Sequence, residues 1–130
     1  MRKENPVAEE TRPSVLVVDD DTRLRKLCTA FLQKGEYDVV AVEGADQALE
    51  EARVHRFDLV LTDMKMPGMP GDELIQLLKE IQPEILVVIM SGSPEANTMN
   101  ESGAREIYQF IAKPFTMKDI LEAVQKALRG

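Results

Sequence analysis

The chain has 130 residues, of which 44% are hydrophobic and 30% are charged, and its formal net charge is −7. This balance is typical of a globular domain and excludes an intrinsically disordered chain. The negative charge argues against direct nucleic-acid binding, because phosphate contacts need clustered Lys and Arg. No apolar run reaches the roughly 18 residues of a membrane span, so membrane insertion is not expected. The lone cysteine, Cys28, excludes an internal disulfide, and the expected compartment is the cytoplasm.

The first 13 residues are polar, include two prolines and show no periodicity. We therefore predict a loosely ordered tail over 1–13 and one domain over 14–130. In chain order, the predicted elements are a strand Ser14–Val18, a helix with apolar residues from Leu24 to Leu32 that ends at Gly35, a strand Tyr37–Val42, a helix Ala45–Val54, a strand Phe57–Thr62, a helix capped by Gly71 or Asp72, a strand Ile85–Met90, a helix Pro94–Gly103, a strand Ile107–Ala112 and a helix Met117–Arg129.

Strands and helices alternate five times in this prediction, which is typical of an α/β fold with a parallel sheet covered by helices on both faces. Asp38 interrupts the second strand and Gln109 the fifth, so these two strands are predicted to lie at the edges. With right-handed crossovers, the favoured strand order is 2-1-3-4-5. The predicted fold is therefore doubly wound and flavodoxin-like, with five strands and five helices.

Polar residues stand at the carboxyl ends of four predicted strands. Asp19 and Asp20 follow the first strand, Asp63 the third, Ser91 the fourth and Lys113 the fifth. Neighbouring strands are about 4.8 Å apart, so Asp19 and Asp20 should lie beside Asp63, with Ser91 on its other side. Lys113 begins roughly 10 Å away by the same spacing, and its long side chain can span that distance. We predict that Asp63 is a phosphate acceptor in this cluster.

Three carboxylates that lie this close together repel one another. At about 5 Å and an effective dielectric constant near 20, one pair of unit charges costs roughly 3 kcal/mol. A site with only oxygen ligands favours Mg²⁺, or Mn²⁺ in its place. The alternative is that Asp19-Asp20-Asp21 simply begins a helix, since acidic residues are common helix caps.

The chain resembles the receiver domain of bacterial response regulators, whose fold is that of the chemotaxis regulators. The resemblance covers about Ser14 to Leu128. The residues that carry it are Val17-Val18-Asp19-Asp20, Thr62-Asp63-Met64-Lys65-Met66-Pro67-Gly68, Met90-Ser91-Gly92 and Lys113-Pro114-Phe115.

The resemblance implies a phosphoryl-transfer site. Asp63 would accept a phosphoryl group from a phosphohistidine on a sensor histidine kinase or a histidine phosphotransfer protein. Asp20 and Asp63 would bind Mg²⁺ directly, Asp19 would act largely through water, and the backbone carbonyl of Lys65 would complete the protein ligands. Lys113 would pair with the phosphoryl oxygens. Apart from this self-catalysed transfer and slow loss of the phosphoryl group, the protein is expected to be a signalling receiver and not an enzyme.

The resemblance also implies a switch. Ser91 would donate a hydrogen bond to the phosphoryl group, and Phe110 occupies the family's aromatic switch position. The face formed by the fourth helix, the fifth strand and the fifth helix would then act on an output domain or protein, with phosphorylation-dependent dimerisation as one expected assembly. The Lys113-Pro114 peptide bond is expected to be cis. Pro70 departs from the family, which often has Asp there.

Three other functions compete with this one. A small Mg²⁺-dependent phosphatase would use Asp19 as its nucleophile, but Arg23 stands where its motif wants Thr or Val. A flavin electron carrier would need a hydroxyl- and Gly-rich first loop, where this chain has three aspartates. A receiver that only docks, without phosphorylation, would not need the acidic, hydroxyl and lysine positions to be filled.

Four further residues are not assigned to the phosphoryl-transfer site. His55 is predicted to be a solvated loop residue, and Cys28 a small core residue. Arg23 and Arg25 are predicted to be surface charges, close enough to the acidic residues to steer a partner helix.

Overall fold

A five-stranded parallel sheet organises the protein in the computed structural model, which describes residues 12–65, 67–91 and 109–129, with Ser91 described by its backbone. The strand order is 2-1-3-4-5, as predicted. All four strand pairs are parallel, and the second and fifth strands lie at the edges. Within the described ranges, no helix has the length and apolar character needed to cross a bilayer.

The observed elements lie within a few residues of the predicted ones. They are β1 (Ser14–Val18), α1 (Thr22–Lys34), β2 (Asp38–Val42), α2 (Ala45–Val54), β3 (Leu59–Asp63), α3 (Gly71–Ile81), β4 (Leu86–Ser91), β5 (Gln109–Ala112) and α4 (Met117–Arg129). The predicted helix Pro94–Gly103, the first two residues of the predicted fifth strand and most of the predicted tail lie outside the described residues. The last predicted helix is therefore α4 here.

The strands alternate their side chains between two hydrophobic layers. In β1, Leu16 and Val18 point to the layer that contains α2 and α3, while Val15 and Val17 point to the layer that contains α1 and α4. All four side chains are fully buried. Because both faces are covered, β1 reads as a continuous apolar run, as interior parallel strands do.

A side-chain amide ties the loops at the amino-terminal edge of the sheet. Gln82 Nε2 donates to the carbonyl oxygens of Ala52 at 2.8 Å and His55 at 2.6 Å, and Gln82 Oε1 accepts from the Phe57 N–H at 2.9 Å. These bonds join the end of α2 to the loops before β3 and β4. His55 is exposed, as predicted.

The start of α3 is packed tightly against the end of β3. Pro70 occupies the N-cap position and makes no side-chain hydrogen bond, so the predicted cap by Gly71 or Asp72 was wrong. Gly71 is instead the first helical residue and donates its N–H to the Met64 carbonyl oxygen at 3.2 Å. A Cβ atom at position 71 would lie 2.8 Å from both Met64 Cα and Met64 Sδ.

We expect Gly71→Ala to lower the free energy of unfolding by about 1–3 kcal/mol, because the added methyl group meets backbone that must move. Gly44→Ala is the matched control, since a Cβ atom there has nothing within 4 Å and the backbone is extended. Urea unfolding of both variants measures the difference. Equal stabilities would show that the Gly71 contact has no energetic weight.

Candidate functional site

The carboxyl ends of β1 and β3 bring three carboxylates together. Val18 is opposite Thr62 in the strand register, so Asp19 and Asp20 follow β1 beside Asp63, the last residue of β3. One ligand oxygen from each carboxylate lies within 4.8 Å of the other two. Asp19 and Asp63 are buried, whereas Asp20 is exposed, so the cluster opens to solvent on the Asp20 side.

Asp21 is separate from this cluster and caps α1. Its Oδ1 accepts hydrogen bonds from the N–H groups of Arg23 at 2.9 Å and Leu24 at 3.3 Å. This is the geometry of an N-cap, which satisfies helix donors that otherwise lack a partner. The helix-cap alternative therefore holds for the third aspartate of the run, while the first two belong to the carboxylate cluster.

Asp19 is fully buried and has one polar side-chain atom without a hydrogen-bond partner. Its N–H donates to the Val42 carbonyl oxygen at 3.2 Å, and its Oδ1 accepts from the Asp21 N–H at 2.8 Å. Its Oδ2 is buried and accepts no hydrogen bond from the described residues. Burial raises the pKa of Asp19 above its ordinary value of 3.8, and the charges of Asp63 and Asp20 add to this effect. The Asp21 N–H and the Lys113 ammonium act in the opposite direction.

Lys113 reaches across from the end of β5 to two of the carboxylates. Its Nζ lies 3.1 Å from Asp63 Oδ2 and 3.8 Å from Asp19 Oδ2. The Lys113-Pro114 peptide bond is cis, as predicted.

Three carboxylates and one ammonium leave two formal negative charges, which a divalent cation balances. The buried Asp19 Oδ2, which accepts no hydrogen bond from the described residues, and the all-oxygen donor set fit Mg²⁺.

The loop after β3 holds the second oxygen of Asp63. Asp63 Oδ1 accepts from the Lys65 N–H at 3.2 Å, so the two carboxylate oxygens have different partners, a lysine ammonium and a main-chain donor. Farther along this loop, Gly68 has a φ of 92°, which only glycine adopts without strain. The carbonyl of Lys65 remains a predicted ligand.

The two predicted switch residues lie on neighbouring strands. Ser91 ends β4 opposite Ala112 of β5, and Phe110 is opposite Ile89. Phe110 is half-buried and packs against the hydrophobic layer that contains α2 and α3. Ser91 therefore lies on the strand next to β3, which ends in Asp63, and Phe110 lies on the edge strand, two strands from β3.

Arg25 has a closer contact with the carboxylate cluster than the sequence predicted, whereas Cys28 is buried as predicted. Arg25 is half-buried, not a surface charge, and its Nη1 donates to the Asp19 carbonyl oxygen at 2.9 Å. Cys28 is fully buried, as predicted, with its Sγ 3.8 Å from Met90 Sδ. Burial raises the pKa of the Cys28 thiol to about 12, and the negative charge of Asp19 contributes. The thiol lies in the hydrophobic layer that contains α1 and α4.

The raised pKa of Asp19 predicts how the variant Asp19→Asn behaves without cations. The pKa of Asp19 is higher in the folded state than the value of 3.8 expected when the chain is unfolded. Protonation of Asp19 therefore favours the fold. This contribution is fully present below pH 3.8 and is lost as the pH rises through the folded-state pKa. We expect Asp19→Asn to be more stable than the unsubstituted protein at neutral pH, with a gain that shrinks toward pH 3.8.

Urea unfolding in EDTA over this pH range measures the difference, and Glu50→Gln, which neutralises an exposed carboxylate on α2, is the control. A gain for Asp19→Asn that is independent of pH, or no gain at all, would contradict the prediction.

Comparisons with known proteins agree with this architecture. Residues 15–125 match the family model of the response regulator receiver domain. The chain is 37% identical over 114 residues to sporulation initiation phosphotransferase F of Bacillus subtilis, covering 88% of this chain and 92% of that protein. It is 30% identical over 117 residues to the transcriptional regulatory protein ResD of the same organism, covering 88% of this chain but 48% of that longer protein.

Solved structures show the same fold. The chemotaxis response regulator CheY4 of Vibrio cholerae superposes with a TM-score of 0.82 at 26% identity, covering 91% of this chain and all of that one. A CheY-like receiver domain protein from Methanospirillum hungatei JF-1 gives 0.80 at 28% identity, covering 92% of this chain and 95% of that one. The chain therefore belongs to the response regulator receiver family of two-component signalling.

Proposed function

We propose that this receiver is a phosphorylation-dependent switch in which Asp63 accepts a phosphoryl group from a phosphohistidine on a partner. The partner would be a sensor histidine kinase or a histidine phosphotransfer protein. One observation carries the proposal: three carboxylates have oxygens within 4.8 Å of one another, and Lys113 contacts Asp63 at 3.1 Å from the opposite side. This is a nucleophile with a cation pocket and a counter-charge around it.

In the transfer step, one carboxylate oxygen of Asp63 attacks the phosphorus atom. The phosphorus–nitrogen bond to the donor imidazole breaks, and its electron pair stays on the imidazole nitrogen. The product is an acyl phosphate on Asp63 and a histidine on the partner. There is little other covalent chemistry to perform, so positioning and charge stabilisation dominate the rate.

The cation pocket would be formed by four residues of this chain. Asp20 and Asp63 would bind Mg²⁺ directly, Asp19 through water, and Lys65 through its backbone carbonyl, with Mn²⁺ able to replace Mg²⁺. The bound ion would neutralise charge on the transferring phosphoryl group. The buried Asp19 Oδ2, which has no hydrogen-bond partner among the described residues, supports a site completed by water or an ion.

Lys113 would exchange one partner for another during the reaction. Before transfer its ammonium pairs with Asp63 Oδ2 at 3.1 Å. The phosphoryl group brings close to two negative charges and three acceptor oxygens to that carboxylate. Lys113 would then pair with a phosphoryl oxygen, and the Ser91 hydroxyl would donate to another.

The output would depend on Phe110. Movement of Ser91 toward the phosphoryl group vacates space that the half-buried Phe110 ring can fill, which shifts the population of two states. The surface that changes is formed by the predicted helix 94–103, β5 and α4. It would bind a downstream output domain or protein, or a second phosphorylated copy.

We expect incubation with Mg²⁺ and acetyl phosphate to add one phosphoryl group, at Asp63. Intact-mass and peptide analysis locate it. Asp63→Asn should abolish the label, and Asp21→Asn is the matched control because Asp21 caps α1 outside the cluster. A label on Asp19 would instead establish the phosphatase alternative, and labelling of Asp63→Asn at the normal level would exclude the proposed acceptor.

Phe110→Ala should leave phosphorylation of Asp63 intact and remove most of the phosphorylation-dependent change at β5 and α4, because the ring is the proposed coupling element. Amide hydrogen exchange with and without acetyl phosphate measures that change. Phe115→Ala, which truncates an aromatic ring in the opposite hydrophobic layer, should retain it. An unaltered exchange response in Phe110→Ala would exclude the switch role.

A further inference from the structure

Arg25 binds the backbone of the carboxylate cluster. Its Nη1 donates to the carbonyl oxygen of Asp19 at 2.9 Å, and its Nη2 donates to Thr22 Oγ1 at 3.4 Å. Three carboxylates lie close by, yet within the described ranges Arg25 forms no ion pair with any of them. A guanidinium that bonds to main chain here fixes the position of that main chain.

The stability of α1 does not explain a cation at this position. Arg25 is the fourth residue of α1, and the amino-terminal end of a helix favours negative charge. The first turn of α1 contains no acidic residue, and Arg23 adds a second cation there. The helix dipole therefore disfavours a cation at position 25, and the contact of Arg25 with the preceding loop is the interaction that accounts for its position.

The carbonyl group that Arg25 holds belongs to the peptide unit between Asp19 and Asp20. Because this unit is planar, fixing the oxygen also fixes the amide of Asp20. Asp19 is already held through its N–H and its Oδ1. Asp20 is exposed and has no side-chain hydrogen bond or ion pair to another described residue, so its backbone is the main determinant of where its carboxylate points.

We propose that Arg25 is a positioning residue for the cation pocket, holding the Asp19–Asp20 peptide so that both carboxylates face the ion. This inference rests on the Mg²⁺ site of the proposed function. Arg25 would act through backbone geometry, so the predicted effect of its removal on cation affinity has the opposite sign to the effect expected from charge alone. Removing a positive charge beside an acidic site should on charge grounds strengthen cation binding, whereas loss of positioning should weaken it.

The test is the Mn²⁺ dissociation constant of the full chain, measured from the electron paramagnetic resonance signal of free Mn²⁺. We expect Arg25→Met to weaken binding by about tenfold, the size of effect typical when a residue that orients metal ligands is removed. Arg23→Met removes the same charge two residues away without touching Asp19, and it should bind Mn²⁺ as tightly as the unsubstituted protein or more tightly. Arg25→Lys should restore most of the affinity, since an ammonium can still donate to the carbonyl.

Cation-free thermal unfolding of each variant sets a temperature at which all are folded, so that weakened binding is not a loss of fold. If Arg25→Met does not fold, Arg25→Gln takes its place with the same expectation, because its amide ends two bonds nearer the backbone. Binding by Arg25→Met that equals or exceeds that of Arg23→Met would overturn the positioning role while leaving the metal site intact. Failure of the unsubstituted protein to bind Mn²⁺ would overturn the metal site itself, and the inference with it.

Discussion

The site depends on a local excess of buried negative charge. Two carboxylates at the ends of adjacent strands are buried beside a third, and within the described ranges Lys113 is the cation that pairs with them. Burial of a charge costs free energy unless it is compensated, and here the compensation is incomplete. The raised pKa of Asp19 and the absence of a hydrogen bond to its Oδ2 from the described residues both reflect this incomplete compensation. A bound divalent cation would offset this excess negative charge, and in the proposed function a transferred phosphoryl group would change the local charge again.

The surrounding fold keeps the buried carboxylates from moving apart or turning toward solvent. The parallel register between β1 and β3 sets the distance between Asp19 and Asp63, and the two hydrophobic layers hold the sheet on both sides. Local bonds then fix the loops: Asp21 caps α1, Arg25 holds the Asp19 carbonyl, and Gly71 joins α3 to Met64. On a less rigid backbone, these carboxylates could rotate outward and become solvated.

The fold could be predicted from sequence because its signals are strong and local. The apolar runs around Leu16 and Val88 and the polar interruptions at Asp38 and Gln109 identify interior and edge strands, and the strand order follows from connection rules. The strand order in turn predicted that residues separated by more than forty positions would meet, as Asp19 and Asp63 do.

What could not be predicted depends on backbone groups that carry no sequence signature. Pro70 at the N-cap of α3 replaced the expected cap because the chain direction there is set by packing of Gly71 on Met64, which a capping rule does not include. Arg25 looked like a surface charge because its partner is a main-chain carbonyl, and every residue has one. The division of the aspartate run into two ligand candidates and one cap likewise required the dihedral angles at Asp21.

The position of Cys28 has a practical consequence. It is the sole thiol of the chain, it is fully buried in the hydrophobic layer that contains α1 and α4, and its pKa of about 12 keeps it protonated in the native state. Alkylating reagents attack thiolates, so the native protein should resist them until the structure opens far enough to expose Cys28. The rate of alkylation therefore reports the opening of the structure around α1, the helix that carries Cys28 and follows the acidic loop.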